Sequence, residues 1–98
     1  MLVVDDDADM GEMVATFVRR LGHQPVCVQN PEEGIARMAG EEFALVLTDV
    51  QMGSMDGIAL CEHIATMHPD VPVIVLTGHG NLETAVRAMR AGAYDFLT

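Results

Sequence analysis

Short runs of consecutive apolar residues alternate with longer amphipathic stretches along the chain. The runs at residues 1–4, 44–47 and 71–76 show little polar alternation, which is typical of strands buried on both faces of a parallel sheet. Between the runs, apolar residues recur three and four positions apart, the spacing of an amphipathic helix. The pattern predicts strands at residues 1–4, 24–28, 44–49, 71–76 and 94–98, and helices at about residues 8–21, 31–40, 57–67 and 82–90.

The first predicted helix is amphipathic, because its apolar residues recur three and four positions apart. Arg19 and Arg20 complement the negative end of the helix dipole, and Gly22 suits the position after the last turn. The apolar face consists of Met10, Met13, Val14, Phe17, Val18 and Leu21.

The second predicted helix has a well-formed start. Asn30 is a favourable N-cap, Pro31 suits the first turn, and Glu33 can reach back to complete a capping box. Gly40 ends this helix. Upstream, Pro25 within the second strand favours an edge position, because the missing N–H costs little there.

The alternation of strands and helices predicts an α/β fold with right-handed crossovers and a parallel sheet. Such a sheet needs helices on both faces, and four helices leave one face covered by little more than the first helix. We therefore expect a fragment truncated before a fifth helix after Thr98, or another element over that face. We also expect an exposed apolar patch, formed by the first and central strands beside the first helix, which favours dimerisation or segment exchange.

Composition and charge exclude several classes of function. The 98 residues suffice for one small domain, and 50% of them are hydrophobic, enough for a core. The net charge of −10 argues against binding nucleic acid or an anionic membrane through this chain. No apolar stretch reaches the roughly 18 residues of a membrane helix, and the N-terminus lacks a signal-peptide pattern. Cys27 and Cys61 lack CxxC spacing, so we expect buried free thiols in a reducing cytoplasm.

Polar residues follow three of the predicted strands at the point where each strand ends. Asp5 and Asp6 follow the first strand, Asp49 ends the central one, and Thr77 follows the fourth. Because the carboxyl ends of parallel strands meet at one rim, we expect these side chains to converge. Crowded carboxylates repel each other unless a cation neutralises them, and their oxygens suit Mg²⁺. The sequence therefore predicts a divalent-metal site beside Asp49, which can accept a phosphoryl group as an acyl phosphate, with Thr77 donating a hydrogen bond to it.

Each of these residues also has a purely structural interpretation. The acidic run at residues 5–7 can cap the first helix, and Asp49 or Thr77 alone can belong to a turn. Calcium-loop spacings that start at Asp5 or Asp49 lack the required Gly and Glu. His79, between two glycines, has no residue predicted to orient it as a general base. The coincidence of three strand ends is what favours the metal site.

Taken together, these residues resemble the receiver domain of bacterial two-component response regulators. The resemblance covers residues 1–98 in order, and its motifs are specific in combination rather than singly. It implies a flavodoxin-like (CheY-like) doubly wound sheet of five parallel strands in the order 2-1-3-4-5. The matching stretches are Leu2-Val3-Val4-Asp5-Asp6-Asp7, Leu45-Val46-Leu47-Thr48-Asp49-Val50-Gln51-Met52, Met55-Asp56-Gly57, Leu76-Thr77-Gly78 and Gly92-Ala93-Tyr94-Asp95-Phe96.

The resemblance implies a role for each residue at the rim. Asp49 corresponds to the phosphoacceptor. Asp6 and Asp49 correspond to direct Mg²⁺ ligands, together with the backbone carbonyl of Gln51, and Asp5 acts through water. The chain would then catalyse its own phosphoryl transfer and dephosphorylation without being an enzyme that turns over a separate substrate.

The resemblance also implies a switch and its partners. Thr77 corresponds to the switch hydroxyl that moves towards the phosphoryl group, and Phe96 to the aromatic residue that fills the vacated space. The stretches at 77–80 and 92–96 are similar to receivers of the nitrogen-regulator class, which are usually joined to a transcription-activating ATPase and a DNA-binding domain. The implied phosphoryl donor is a sensor histidine kinase, and the implied location is the cytoplasm.

The chain departs from the family pattern at two places. Gly53 stands where the family usually has proline, which gives the loop after Asp49 more conformational freedom. By the family's spacing, the lysine at the end of the fifth strand would be the residue after Thr98.

Two other functions fit parts of the sequence. Asp5-Asp6-Asp7 after an apolar strand is similar to the nucleophile motif of haloacid-dehalogenase-like phosphatases. However, Asp9 stands where that family wants Thr or Val, and the chain contains no lysine. The other alternative is a degenerate receiver that acts only as a dimerisation module, and the intact acidic cluster argues against it.

Overall fold

Strands and helices alternate along the chain in the predicted order. The computed structural model describes residues 1–49, 57–76 and 82–97. The elements are β1 (Leu2–Val4), α1 (Ala8–Arg20), β2 (Val26–Val28), α2 (Pro31–Gly40), β3 (Val46–Asp49), α3 (Gly57–Met67), β4 (Val73–Leu76), α4 (Leu82–Arg90) and β5 (Asp95–Leu97).

All five strands form one parallel sheet in the order β2-β1-β3-β4-β5, which confirms the predicted fold class. The second strand is at an edge of the sheet, as Pro25 indicated. It is shorter than predicted, because β2 begins at Val26 and Pro25 precedes it. The sheet therefore has β2 and β5 as its two edges.

Side-chain caps determine where the first two helices begin. Asn30 accepts a hydrogen bond from the backbone N–H of Glu33 at 2.8 Å, as the predicted capping box requires. The reciprocal contact uses side chains, since the Glu33 carboxylate accepts from the Asn30 amide at 3.0 Å. Asp7 caps α1 and accepts from the backbone N–H groups of Asp9 and Met10.

Helices α2 and α3 cover one face of the sheet, which we call the closed face. Its strand residues Leu2, Val46 and Val75 are fully buried. Leu60 and Ile64 of α3 belong to the same cluster and are also fully buried. This face holds the continuous apolar core of the molecule, which extends under α4.

Among the described elements, only α1 packs on the opposite face, which we call the open face. Alternation along the strands places Val3, Leu47, Leu76 and Leu97 on this face. α1 lies over β1 and β2, so Val3 is buried, whereas Leu97 is 52% exposed. An apolar patch is therefore present, but β3, β4 and β5 form it beside α1. The prediction that the first strand contributes is wrong for β1, which α1 covers, and only Met1 ahead of it lines the patch.

Much of the apolar face of α1 is exposed among the described residues. Met13, Phe17 and Leu21 are 66%, 63% and 61% exposed. These residues border the open face, where the described residues provide no second helix to pack against them. The buried residues of α1 are Gly11, Ala15 and Val18.

The two cysteines differ in environment. Cys61 is buried in the core as predicted, but Cys27 is exposed on β2. The prediction of a buried thiol is wrong for Cys27, because an edge strand is covered incompletely. Its thiol donates a weak hydrogen bond to the carbonyl of Gly11 at 3.7 Å. Partial burial of the sulfur, together with the nearby Glu12 carboxylate, raises the pKa of the Cys27 thiol.

Candidate functional site

Parallel pairing brings the acidic strand ends to one rim of the sheet. Val4 pairs with Thr48 in the β1–β3 register, so the next residues along the two strands, Asp5 and Asp49, are neighbours. Strand alternation directs both side chains to the open-face side of the sheet. The Thr48 hydroxyl lies on the closed-face side and donates to the carbonyl of Asp49 at 2.9 Å.

Asp5, Asp6 and Asp49 form an acidic cluster at this rim. One carboxylate oxygen from each residue lies within 4.8 Å of those from the other two. Asp5 is buried, Asp49 is half-buried and Asp6 is exposed, so the cluster opens to solvent on one side. The structure thus brings together three of the predicted site residues, which come from two separate strand ends.

Backbone hydrogen bonds hold Asp5 in place. Its N–H donates to the carbonyl of Val28 at 3.1 Å, which continues the β1–β2 pairing past the end of β1. Its carboxylate accepts from the N–H of Asp7 at 2.9 Å. These two contacts fix the backbone and the side chain of Asp5 beside Asp49.

Burial and mutual repulsion disfavour the ionised form of Asp5 in the cluster. Burial raises the pKa of Asp5, and the carboxylates of Asp49, Asp6 and Asp7 raise this pKa further. The hydrogen bond from the N–H of Asp7 acts in the opposite direction but is outweighed. A bound cation would offset this repulsion.

The cluster offers the oxygen ligands that Mg²⁺ prefers. Ligand oxygens lie about 2.0–2.1 Å from Mg²⁺ in octahedral geometry, which places them roughly 3–4 Å from one another. The 4.8 Å limit that encloses the three carboxylates is slightly wider. Because Mg²⁺ usually keeps several waters, the three residues fit the ion with a small inward movement or a retained water.

The acidic run after β1 divides between two tasks that the sequence left as alternatives. Asp5 and Asp6 join the cluster, whereas Asp7 caps α1. The contact of the Asp7 backbone with Asp5 was not predicted from the sequence. The feature that could have revealed it is the spacing, because a carboxylate commonly accepts from the N–H two residues ahead in an Asx turn.

Five other residues were singled out by sequence, and the structure describes one of them. Phe96 is described and lies on β5, where its Cα pairs with that of Val75. Its side chain is partly buried against the closed-face core. The remaining residues lie outside the part of the chain that the structure describes: Gln51, Thr77 and His79, together with Gly53.

The family of response regulator receiver domains matches residues 1–98. The chain belongs to this family. A similar curated relative of this receiver is the response regulator protein PilR of Pseudomonas aeruginosa, which is 37% identical over 97 residues. That match covers 99% of the receiver and 22% of PilR, so the chain spans about a fifth of the length of the curated relatives it matches.

Solved structures share the fold of this receiver. The receiver domain of NtrX from Brucella abortus has a TM-score of 0.92 and 40% identity, over 98% of this chain and 82% of that one. The beryllofluoride-activated NtrC4 receiver domain dimer has a TM-score of 0.90 and 34% identity, over 98% of this chain and 78% of that one. The relatives place the receiver in the nitrogen-regulator class, as its motifs indicated.

Family membership identifies the chain as a receiver rather than a haloacid-dehalogenase-like phosphatase. Within the described ranges, the receiver has no helix with the length and apolar character needed to cross a membrane.

Proposed function

We propose that Asp49 accepts a phosphoryl group from a sensor histidine kinase, with Mg²⁺ held beside it by Asp5 and Asp6. The observation that carries this proposal is the acidic cluster, in which three carboxylates lie within 4.8 Å of one another. A cluster that raises the pKa of its own buried member is costly as a purely structural feature. Binding of a metal ion for phosphoryl transfer would explain why the three carboxylates lie together.

In the proposed reaction, a carboxylate oxygen of Asp49 attacks the phosphorus of a phosphohistidine on the kinase. The new O–P bond forms as the P–N bond breaks, and the imidazole nitrogen keeps the electron pair of that bond. The product is an acyl phosphate on Asp49. Asp49 is half-buried at a rim open to solvent, so a donor can approach it, and water can later hydrolyse the acyl phosphate.

Asp6 and Asp49 would bind the ion directly, together with the carbonyl of Gln51, and Asp5 would bind it through water. When bound, Mg²⁺ supplies positive charge to the phosphoryl oxygens during transfer. The N–H of Asp7 donates to the Asp5 carboxylate, and the N–H of Asp5 donates to the carbonyl of Val28, so groups of the chain itself hold Asp5 in the cluster. Asp5 would thus act mainly by orienting the ligand set.

The proposed readout is a conformational switch. Thr77 would donate its hydroxyl to the phosphoryl group, and Phe96 would change rotamer in response. Phe96 is only partly buried on the edge strand β5, so its movement need not open the core. Such a switch needs only a few kcal/mol between the two states.

The proposed context is the cytoplasm, with this receiver controlling a transcription-activating output domain. The receiver spans 22% of the length of PilR, and the same share of a nitrogen assimilation regulator, NtrX of Azorhizobium caulinodans. We do not assign nucleic-acid binding to this chain, since its net charge is −10. The related NtrC4 receiver is a dimer, and we propose that this receiver also pairs with a second copy of itself.

Labelling with radioactive acetyl phosphate and Mg²⁺ tests the assignment of Asp49. We expect the wild-type chain to take up label and Asp49→Asn to fall to background, because the amide cannot form the acyl phosphate. Asp9→Asn is the matched control, since Asp9 is exposed in the first turn of α1 and lies outside the cluster. EDTA should abolish labelling of the wild type. If Asp49→Asn took up as much label as the wild type, another residue would be the phosphoacceptor.

A further inference from the structure

Thr48 is a polar residue in an otherwise apolar row on the closed face. The strand registers align one residue from each strand across the sheet: Val28, Val4, Thr48, Val75 and Phe96. Thr48 is 0% exposed, and among the described residues only it and Asp5 are polar or charged side chains that are buried. Packing alone does not explain a hydroxyl here, because valine has nearly the same shape and would bury no polar atom.

The hydroxyl of Thr48 acts on the backbone of the proposed phosphoacceptor. It donates to the carbonyl of Asp49 at 2.9 Å, and Asp49 is the last residue of β3. This carbonyl belongs to the peptide unit that joins Asp49 to the next residue. Because a peptide unit is planar, a hydrogen bond to its oxygen orients the whole unit. Thr48 therefore sets the direction in which the chain leaves Asp49.

We propose that Thr48 is a positioning residue for Mg²⁺, because it holds the backbone that links two of the ion's ligands. The inference rests on the proposed function, in which the Asp49 carboxylate and the Gln51 carbonyl both bind the ion. Gln51 is two residues after Asp49, so the peptide unit held by Thr48 is one of the two that join these ligands. Thr48 itself lies on the closed-face side and does not bind the ion.

The surroundings of Thr48 make its hydroxyl a firm anchor. Threonine is β-branched, which restricts its χ1 angle, and its neighbours in the row, Val4 and Val75, are buried on either side. On the β1 side of the cluster, the N–H of Asp7 already holds the Asp5 carboxylate. The Thr48 hydrogen bond is the corresponding support on the β3 side. Groups that orient metal ligands in this way commonly affect the metal affinity when they are removed.

Isothermal titration calorimetry of the full chain with MgCl₂, without a phosphoryl donor, tests this role. Thr48→Val keeps the shape of the side chain but removes the donor, and we expect the Mg²⁺ dissociation constant to rise about threefold to tenfold. Thr48→Ser keeps the donor but loses a buried methyl group. We expect its melting temperature to fall by about 4–8 °C and its Mg²⁺ dissociation constant to stay within about twofold of the wild type.

Two further variants control for packing and for the substitution itself. Thr48→Ala lacks the same methyl group as Thr48→Ser and also lacks the hydroxyl, so it should weaken Mg²⁺ binding as Thr48→Val does. Thr66→Val is the matched control, since the exposed Thr66 on α3 also donates its hydroxyl to a backbone carbonyl at 2.9 Å. Its Mg²⁺ affinity should stay within about twofold of the wild type. Thermal melting by circular dichroism verifies that each variant is folded.

The outcomes separate this inference from the proposed function. If Thr48→Val and Thr48→Ala bind Mg²⁺ within about twofold of the wild type, the positioning role is overturned and the Mg²⁺ site stands. The same holds if Thr48→Ser loses as much affinity as Thr48→Val, because packing would then account for both losses. A wild-type chain that binds no Mg²⁺ up to about 10 mM overturns the proposed site, and the positioning role with it.

Discussion

The two faces of the sheet are built from the same kinds of residue but differ in how they are covered. On the closed face, Leu60 and Ile64 of α3 pack with Val46, and all three are fully buried. On the open face, Leu97 is 52% exposed although it is equally apolar. Most strand residues of both faces are aliphatic, so the helices that lie over them decide their exposure.

The acidic cluster lies on the same side of the sheet as the open face, and the core of the closed face lies on the other side. Asp5 and Asp49 project on the side of the sheet that α1 only partly covers. The strands that carry them are packed from the other side by fully buried residues, including Leu2 and Val46. The continuous apolar core and the acidic cluster therefore lie on opposite sides of the sheet.

The largest expected effect comes from truncating one leucine on each face. Leu60→Ala should lower the free energy of unfolding by about 4 kcal/mol, because it leaves a cavity in a fully packed core. Leu97→Ala should lower it by less than about 1 kcal/mol, because that side chain is already half in solvent. Urea unfolding, at concentrations where the chain is monomeric, measures both. Equal losses would remove the distinction between the faces.

A smaller effect should come from the glycines that follow α4 and α1. Gly92 has φ +112°, and an added Cβ would lie 2.7 Å from the Cβ of Ala65 on α3. Gly22 has φ +91° but open space around it. Gly92→Ala should therefore cost about 2–3 kcal/mol, from strain and overpacking together, and Gly22→Ala only about 1 kcal/mol, from strain. Thermal melting of the two variants compares them, and a greater loss at Gly22 would contradict this assignment.

The smallest expected effect is the pH dependence of the Mg²⁺-free chain. Because the pKa of Asp5 is raised above 3.8 in the folded state, its ionised form destabilises the fold at neutral pH. That cost disappears as the pH falls through the raised pKa and below 3.8. Asp5→Asn should therefore melt at a higher temperature than wild type at neutral pH without Mg²⁺, and the gain should shrink on acidification. If the gain in melting temperature instead grew on acidification, folding would lower the pKa of Asp5 rather than raise it.

The resemblance to receiver domains predicted the order of the strands, and the apolar pattern predicted much of the rim. Apolar runs that end in carboxylates predicted that Asp5 and Asp49 would meet, because parallel strands end at a common edge. Periodicity could not predict the exposure of Phe17, since an apolar helix face does not specify what covers it. The three adjacent carboxylates are chemically identical, so only the backbone direction after β1 separates the cap formed by Asp7 from the cluster.

The pairing of β1 with β3 makes the site sensitive to strand length rather than to strand composition. Val4 lies opposite Thr48, so the two carboxylates that follow are neighbours only while this alignment holds. Exchanges among Val, Leu and Ile upstream leave the alignment intact. Inserting or deleting a single codon in either strand would turn its aspartate towards the opposite layer. As the gene diverges, these two short segments should therefore accept many conservative substitutions but very few changes in length.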